Sequence, residues 1–232
     1  MRHVESYTGT READGAKLTP LANPLLRWTN PYLKIEDGLY VAWTDPSGRP
    51  TSVAQIYYFP RSKSWFIEHQ SLCDGPMEFK SKLSSDWSPR KAGIEWTKFS
   101  DQDVEPARSK ARRMAEMRNL ARRFQADDTI ANNSKLRLLT SPVLRYDAPK
   151  EGLIDGALFV MVNGTDPEIT LQIEARQDRK TSERRYYWAL SPMTTFELMA
   201  YVDDKEVWHT PNARSMGPND SFHPHSIVGQ VE

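Results

Sequence analysis

Short runs of apolar residues, several of them alternating with polar ones, recur along most of this chain and are separated by turn residues. In the clearest case, apolar Ile169, Leu171 and Ile173 alternate with polar neighbours. A period of two is typical of a strand with one buried face, and β-branched and aromatic residues favour the same conformation. The pattern predicts strands at residues 40–43, 51–58, 65–72, 157–162, 168–175, 184–190, 196–202 and 205–209.

A repeat relates the two halves of the chain. The segment from Pro24 to Gly38 resembles the segment from Pro142 to Gly156, with a constant spacing of 118 residues. Six of the fifteen positions are identical, whereas unrelated sequences of average composition would share roughly one. The repeat predicts a mainly β fold with one long helix (α+β), in which an internal duplication gives two similar antiparallel β units packed as a pseudo-twofold pair.

The segment between the repeated regions has the period of a helix. It contains no glycine from Asp103 to Phe124, and its apolar residues recur at spacings of three and four. Such spacing places apolar side chains on one face of a helix. We therefore predict an amphipathic connecting helix over residues 101–127. The other predicted parts are a flexible arm at residues 1–22, β units at 23–100 and 128–210, and a flexible tail at 211–232.

Charge and composition exclude several classes of protein. The chain has 232 residues with 31 basic and 31 acidic side chains, so no overall field attracts nucleic acid. Its single cysteine, Cys73, rules out an internal disulfide and a thiolate zinc site. The longest strongly apolar run, residues 157–162, is too short to span a membrane. No export signal is visible, so we expect a soluble, cytoplasmic protein, or an exported one if an upstream signal has been removed.

Arginines supply two candidate sites. Arg112, Arg113, Arg122 and Arg123 on the predicted helix form a candidate contact surface for phosphates or acidic lipids. The alternative is a solvated basic face paired with acidic residues elsewhere.

Arg27 and Arg145 occupy equivalent places in the repeat. They form a candidate anion site if the two units bring them together on the pseudo-twofold axis; otherwise each pairs with a carboxylate or an aromatic ring in its own unit. The repeated Asp37-Gly38 and Asp155-Gly156 are typical of turns.

Histidines and aromatic residues offer weaker signals. Glu68 and His69 are neighbours, so in a strand they face opposite sides and cannot act as a pair. By residue type, His69 could act as a base and Cys73 as a nucleophile, but their spacing does not match any known catalytic motif. His209, His223 and His225 fit a tail better than a metal site. Exposed aromatic residues could contact carbohydrate or a protein partner, and the equally weighted alternative is that they are ordinary surface aromatics. We predict no cofactor and no metal.

No sequence motif indicates catalysis. The chain lacks a glycine-rich phosphate loop, a zinc-protease helix motif, a serine-hydrolase elbow and a calcium loop. The leading hypothesis is a noncatalytic binding or assembly module, with a protein partner or a second copy of the chain as candidate partners. The alternative is an enzyme whose site lies between the units and uses residues that differ between them, such as Glu68 or His69.

Several segments resemble a family of conserved, uncharacterised bacterial proteins. They include residues 24–31, the helical segment 114–124, Leu136-Arg137-Leu138-Leu139 with Pro142, and residues 155–159 with 164–168. Together they cover most of residues 24–209. The resemblance implies a bacterial origin but no activity, cofactor or catalytic residue, and members of the family often look exported.

Overall fold

The chain folds into antiparallel sheets with one helix of 12 residues. The computed structural model describes residues 2–100, 104–129, 134–213 and 216–227. In the first half the elements are α1 (Arg2–Glu5), β1 (Tyr7–Arg11), β2 (Lys17–Pro20), β3 (Leu26–Asn30), β4 (Ile35–Thr44), β5 (Pro50–Phe59), β6 (Ser64–Ser71), β7 (Met77–Ser81) and β8 (Thr97–Lys98).

The second half begins with the 12-residue helix. Its elements are α2 (Lys110–Ala121), β9 (Phe124–Asp128), β10 (Ser134–Lys135), β11 (Arg137–Leu138), β12 (Leu144–Ala148), a 3₁₀ turn (Pro149–Glu151), β13 (Leu153–Asn163), β14 (Asp166–Gln177), β15 (Arg184–Pro192), β16 (Leu198–Val202), β17 (Lys205–Thr210) and β18 (Phe222–Ser226). Each of the eight strands predicted in the sequence analysis overlaps an observed strand.

Three sheets organise these strands. The first sheet has the order β18-β6-β5-β4-β2-β1-β7, with β3 also paired to β4. The second sheet has the order β11-β13-β14-β15-β8, with β12 also on β13, and the third has the order β10-β9-β16-β17. A backbone hydrogen bond from Leu136 to Ala126 connects the second and third sheets. Each sheet is antiparallel throughout its named pairs.

Strand register recurs between the halves with the spacing seen in the sequence. Trp28 lies opposite Gly38 in the first sheet, and Tyr146 lies opposite Gly156 in the second. Each aromatic ring covers its glycine so closely that a Cβ on Gly38 would lie 2.2 Å from the Trp28 ring, and one on Gly156 would lie 2.5 Å from the Tyr146 ring. The repeated glycines therefore allow a close approach of ring to backbone.

The halves exchange their last strands. β8 precedes α2 in the chain but pairs with β15, and β18 lies near the carboxyl terminus but pairs with β6. One further backbone hydrogen bond extends the pairing beyond each exchanged strand. Phe99 N–H donates to the carbonyl of Tyr186, and Ile227 N–H donates to the carbonyl of Trp65. Residues of both halves therefore complete each of these two sheets.

The two long strands β4 and β13 are buried on both faces, which explains their uninterrupted apolar runs. Tyr40 and Leu158 belong to a central core between the first and second sheets, whereas Val41 and Phe159 face separate cores on the far sides. Tyr40 also bonds Thr170 across the junction, with 2.6 Å between their hydroxyl oxygens. The two sheets thus pack face to face.

The helix is shorter than the sequence pattern predicts. α2 begins after the N-cap Ser109 and ends at Ala121, so the predicted extent of residues 101–127 is wrong at both ends; residues 101–103 lie outside the described chain. Phe124 continues the apolar spacing of the helix but lies in β9, opposite Val202. An aromatic side chain at this position contacts the same core whether it lies on α2 or on β9. The periodicity alone therefore did not mark where the helix ends.

Both predicted flexible ends contain paired strands. In the arm, β1 pairs with β7 and β2 pairs with β4. In the tail, β18 pairs with β6; residues 214–215 and 228–232 lie outside the described chain. No helix within the described residues has the length and apolar character needed to cross a bilayer.

Candidate functional site

Four carboxyl side chains lie close together where the halves meet. Glu68 comes from β6, Asp166 and Glu168 from β14, and Asp128 from β9. Uncharged groups donate hydrogen bonds to three of them: Tyr57 to Glu68 at 3.0 Å, Asn30 to Asp166 at 2.8 Å, and Asn163 to Asp128 at 2.9 Å. Their negative charges would therefore repel one another if all were ionised.

Burial and mutual repulsion favour the neutral form of Glu68, Asp166 and Glu168. Burial, reinforced by the charge of Asp166, raises the pKa of Glu68 to about 8. Burial likewise raises the pKa of Asp166 to about 7, despite the hydrogen bond from Asn30. The pKa of Glu168 is raised for the same reason, with Asp166 as the largest charged neighbour. The group therefore holds protons near neutral pH. We call it the junction carboxyl cluster.

Within the described residues, no group of three or more histidine, cysteine or acidic side chains is arranged to hold a metal ion. The acids of the junction carboxyl cluster instead accept bonds from amide and phenol groups.

Arg27 and Arg145 each pair with the aspartate of their own repeat. Arg27 binds Asp37 through two bonds of 3.1 and 2.6 Å on the surface, where the two side chains are 70% and 55% exposed. Arg145 binds Asp155 at 2.8 and 2.6 Å, but Asp155 is fully buried and also accepts from Arg113 at 2.9 Å. Their use as a joint anion site remains a prediction.

A cleft between the halves contains one of these arginines. It has a volume of about 410 Å³. The first half contributes Leu21, Thr44, Ser47 and Gly48, and the second half contributes Lys110, Leu144, Arg145, Tyr146 and Asp147. Lys110 donates to Asp147 at 2.9 Å on the rim. We call this concavity the inter-half cleft.

The four arginines of the candidate contact surface have different environments. Arg113 is buried and bonded to Asp155, so it cannot contact a lipid or nucleic acid. Arg123 donates to Asp203, Arg122 to Asn119, and Arg112 lies 3.3 Å from Glu116. Arg112 and Arg122 are the exposed members of this set. The hydrogen bonds and ion pairs of these arginines resemble those expected of a solvated basic face, which was the alternative to a contact surface.

Aromatic residues are more buried than the sequence pattern suggests. Tyr186 and Trp188 are buried, and Tyr57 is held by Trp28 and Glu68. Among the described residues, the large hydrophobic side chains that are exposed are Tyr32, Tyr58, Leu83, Val104 and Val207. No broad aromatic face results from these positions.

Three histidines of the first sheet, His69 on β6 with His223 and His225 on β18, form a stacked group. His223 lies opposite His69 in the β18–β6 pair, and the rings of His223 and His225 stack at 4.6 Å. The rings of His225 and His69 are 5.7 Å apart and nearly parallel. Ring-nitrogen lone pairs lie in the ring plane, so stacked imidazoles do not converge on one metal ion. Cys73, the suggested nucleophile, is buried, and burial raises its pKa to about 12.

His69 is fully buried, and neither of its ring nitrogens has a hydrogen-bond partner in the described chain. The equivalent register position in the second sheet is Leu190, because His69 lies opposite Ala54 and Leu190 lies opposite Leu171. We expect His69→Leu to raise the free energy of unfolding at pH 7 by about 1–2 kcal/mol, because it removes an unpaired buried polar group. Urea unfolding measures the gain.

The gain should grow in acid. Burial lowers the pKa of His69 well below 6.5, so the unfolded chain binds protons first and the wild type loses stability as pH falls below 6.5. The difference at pH 5 should therefore exceed that at pH 7. His209→Leu alters an exposed imidazole and provides the control. An equal pH profile for wild type and His69→Leu would contradict the expectation.

Sequence reasoning missed most members of these sites. Asp128, Asp166 and Glu168 are separated along the chain from Glu68, and only strand pairing brings them together. Lys110 and Asp147 are likewise distant in sequence and meet on the rim of the inter-half cleft. The usable signal was Asp166-Pro167-Glu168, in which two acids lie at the start of a strand marked by alternating apolar residues.

Comparisons of this chain with models of protein families, with curated proteins and with solved structures found no match. Its function must therefore be argued from the geometry above.

Proposed function

We propose that the chain is an internal duplication of one β unit, that the two copies pack as a pseudo-twofold pair, and that the protein is a noncatalytic binding module. Its ligand would occupy the inter-half cleft, to which both copies contribute. The single observation that carries the proposal is this cleft of about 410 Å³ with Lys110 and Arg145 on its wall. Its volume lies within the range usual for small-molecule sites.

Register supports the duplication. The pairs Arg27–Leu39 and Asn30–Ile35 recur as Arg145–Ala157 and Ala148–Leu153, and both hairpins shift register at the same place. Further along, Thr19–Thr44 recurs as Arg137–Val162. In this reading α2 is the counterpart of α1 rather than a linker, because each helix precedes the strand that begins its copy.

The lining supports a small anion with an apolar body. Three cations, Lys110, Arg113 and Arg145, lie at or beside the cleft with two carboxylates, Asp147 and Asp155. These five groups carry a net charge of +1, so the binding of an anion would be favoured. Leu21, Leu144 and the Tyr146 ring supply apolar contact for the rest of the ligand.

Calorimetric titration with octanoate and phenyl phosphate tests this proposal, with octanol as the uncharged probe. Lys110→Gln should weaken binding of both anions about threefold to tenfold. Lys80→Gln is the matched control, since Lys80 is a similarly exposed lysine paired with a carboxylate, that of Glu78, in the first sheet. The proposal fails if neither anion binds, if octanol binds as well as octanoate, or if both variants weaken binding equally.

The alternative is an enzyme with its site at the junction between the copies. The observation that favours it is Glu68, a half-buried residue whose carboxyl has a pKa raised to about 8 by burial, which would suit a general acid near neutral pH. Hydrolysis of chromogenic esters or glycosides that is abolished by Glu68→Gln in a folded protein would support this alternative over the binding module.

A further inference from the structure

We infer that the outer face of β9, β10 and β16 carries a separate binding site for a neutral saccharide. The site is a concavity of about 330 Å³ on the third sheet, here called the third-sheet groove. Its lining residues include Gln125, Asp127, Lys135, Tyr201 and Asp204. None of these lines the inter-half cleft, so the inference goes beyond the proposed function.

Strand register places these side chains in two adjacent rows. Asp127 lies between Lys135 on β10 and Met199 on β16, and Gln125 lies opposite Tyr201. Residues two apart on a strand share a face, so both rows belong to the same side of the sheet.

Local bonds hold the groove in shape. The Tyr201 hydroxyl points toward the Met199 sulfur at 3.8 Å, which keeps the phenol over the sheet. The Gln125 amide donates to Asp204 at 3.0 Å and ties the groove to the turn after β16. The result is an aromatic ring beside amide, carboxylate and ammonium groups.

This combination matches the chemistry of a sugar. The C–H face of a pyranose is apolar and packs on an aromatic ring, while its hydroxyl groups both donate and accept hydrogen bonds. Asp127 and Asp204 can accept such bonds, and Lys135 can donate them. Two carboxylates against one ammonium leave a net negative charge, which disfavours uronic and other acidic sugars.

The first sheet provides an internal comparison. The positions equivalent in register to Asp127 and its two neighbours are occupied by Thr10 between Lys17 and Glu78. Thr8 and Lys80 occupy the positions equivalent to Gln125 and Tyr201. These five positions of the first sheet include no aromatic residue, so the features that suit a sugar do not follow from the strand register that the two sheets have in common.

Saturation-transfer NMR and calorimetric titration with cellotetraose and chitotetraose test the inference, with tetragalacturonate as the acidic probe. We expect at least one neutral tetrasaccharide to bind the wild type. Tyr201→Ala should weaken that binding tenfold or more, and Tyr201→Phe should keep it within threefold because the ring is retained. Lys80→Ala, the register-equivalent change in the first sheet, should leave affinity unchanged.

Circular dichroism and thermal unfolding establish that each variant is folded before binding is compared. The inference is overturned if neither neutral tetrasaccharide binds the folded wild type at concentrations of about 10 mM. It is also overturned if folded Tyr201→Ala binds as tightly as the wild type, or if tetragalacturonate binds as well as the neutral sugars. Anion binding in the inter-half cleft is measured with different probes and variants, so either proposal can fail alone.

Discussion

Asp155→Asn is expected to lower the free energy of unfolding by about 3–5 kcal/mol, because it leaves the buried Arg113 guanidinium without its charged partner. Asp155 is fully buried and accepts bonds from both Arg113 and Arg145. The asparagine has nearly the same volume, so the loss reports on charge rather than on a cavity.

Asp37→Asn is the matched control, since Asp37 holds the same place in the repeat. It binds Arg27 with similar geometry, but both side chains are more than half exposed. Solvent screens such a pair, so its loss should cost at most about 1 kcal/mol. Urea unfolding of both variants at one pH measures the contrast; equal losses would show that burial of Asp155 does not decide its contribution.

This contrast also shows the limit of the sequence repeat. The repeat identified the two arginines but indicated turns at the two aspartates, whereas the structure places Asp37 in β4 and Asp155 in β13, where each binds its arginine. The strand register of these residues agrees with the spacing of the repeat. The repeat did not indicate that α2 would place Arg113 over Asp155, and α1, the helix at the start of the first half, has only four residues. A motif encodes contacts along its own strands, whereas the element that covers it depends on the rest of the fold.

Strands were predictable where burial imposes a pattern. β14 has alternating apolar residues, and β4 and β13 have apolar runs because both faces are covered. β1 and β18 gave no such signal. β1 contains Thr8, Gly9 and Thr10, and β18 contains Pro224 between two histidines. β1 is a strand because it pairs with the edge of β7, and β18 is a strand because it pairs with the edge of β6. This is a tertiary effect that local propensity does not include.

Glu68→Gln should change how stability depends on pH. Burial and Asp166 raise the pKa of Glu68 from 4.5 to about 8, so the folded protein holds this proton more tightly than the unfolded chain. The stabilisation from the bound proton is therefore complete below pH 4.5 and is lost as pH rises through about 8. Glutamine cannot ionise, and it can still accept the hydrogen bond that Tyr57 donates.

We therefore expect Glu68→Gln and the wild type to be about equally stable near pH 4.5, and the variant to be more stable at pH 9 by on the order of 4 kcal/mol. Urea unfolding at intervals between pH 4.5 and 9 measures the difference. Glu36→Gln removes an exposed carboxyl from β4 and controls for the change in net charge. If Glu68→Gln is no more stable than the wild type at pH 9, Glu68 is not held protonated at the junction, and the junction carboxyl cluster would have to be ionised with its repulsion offset in another way.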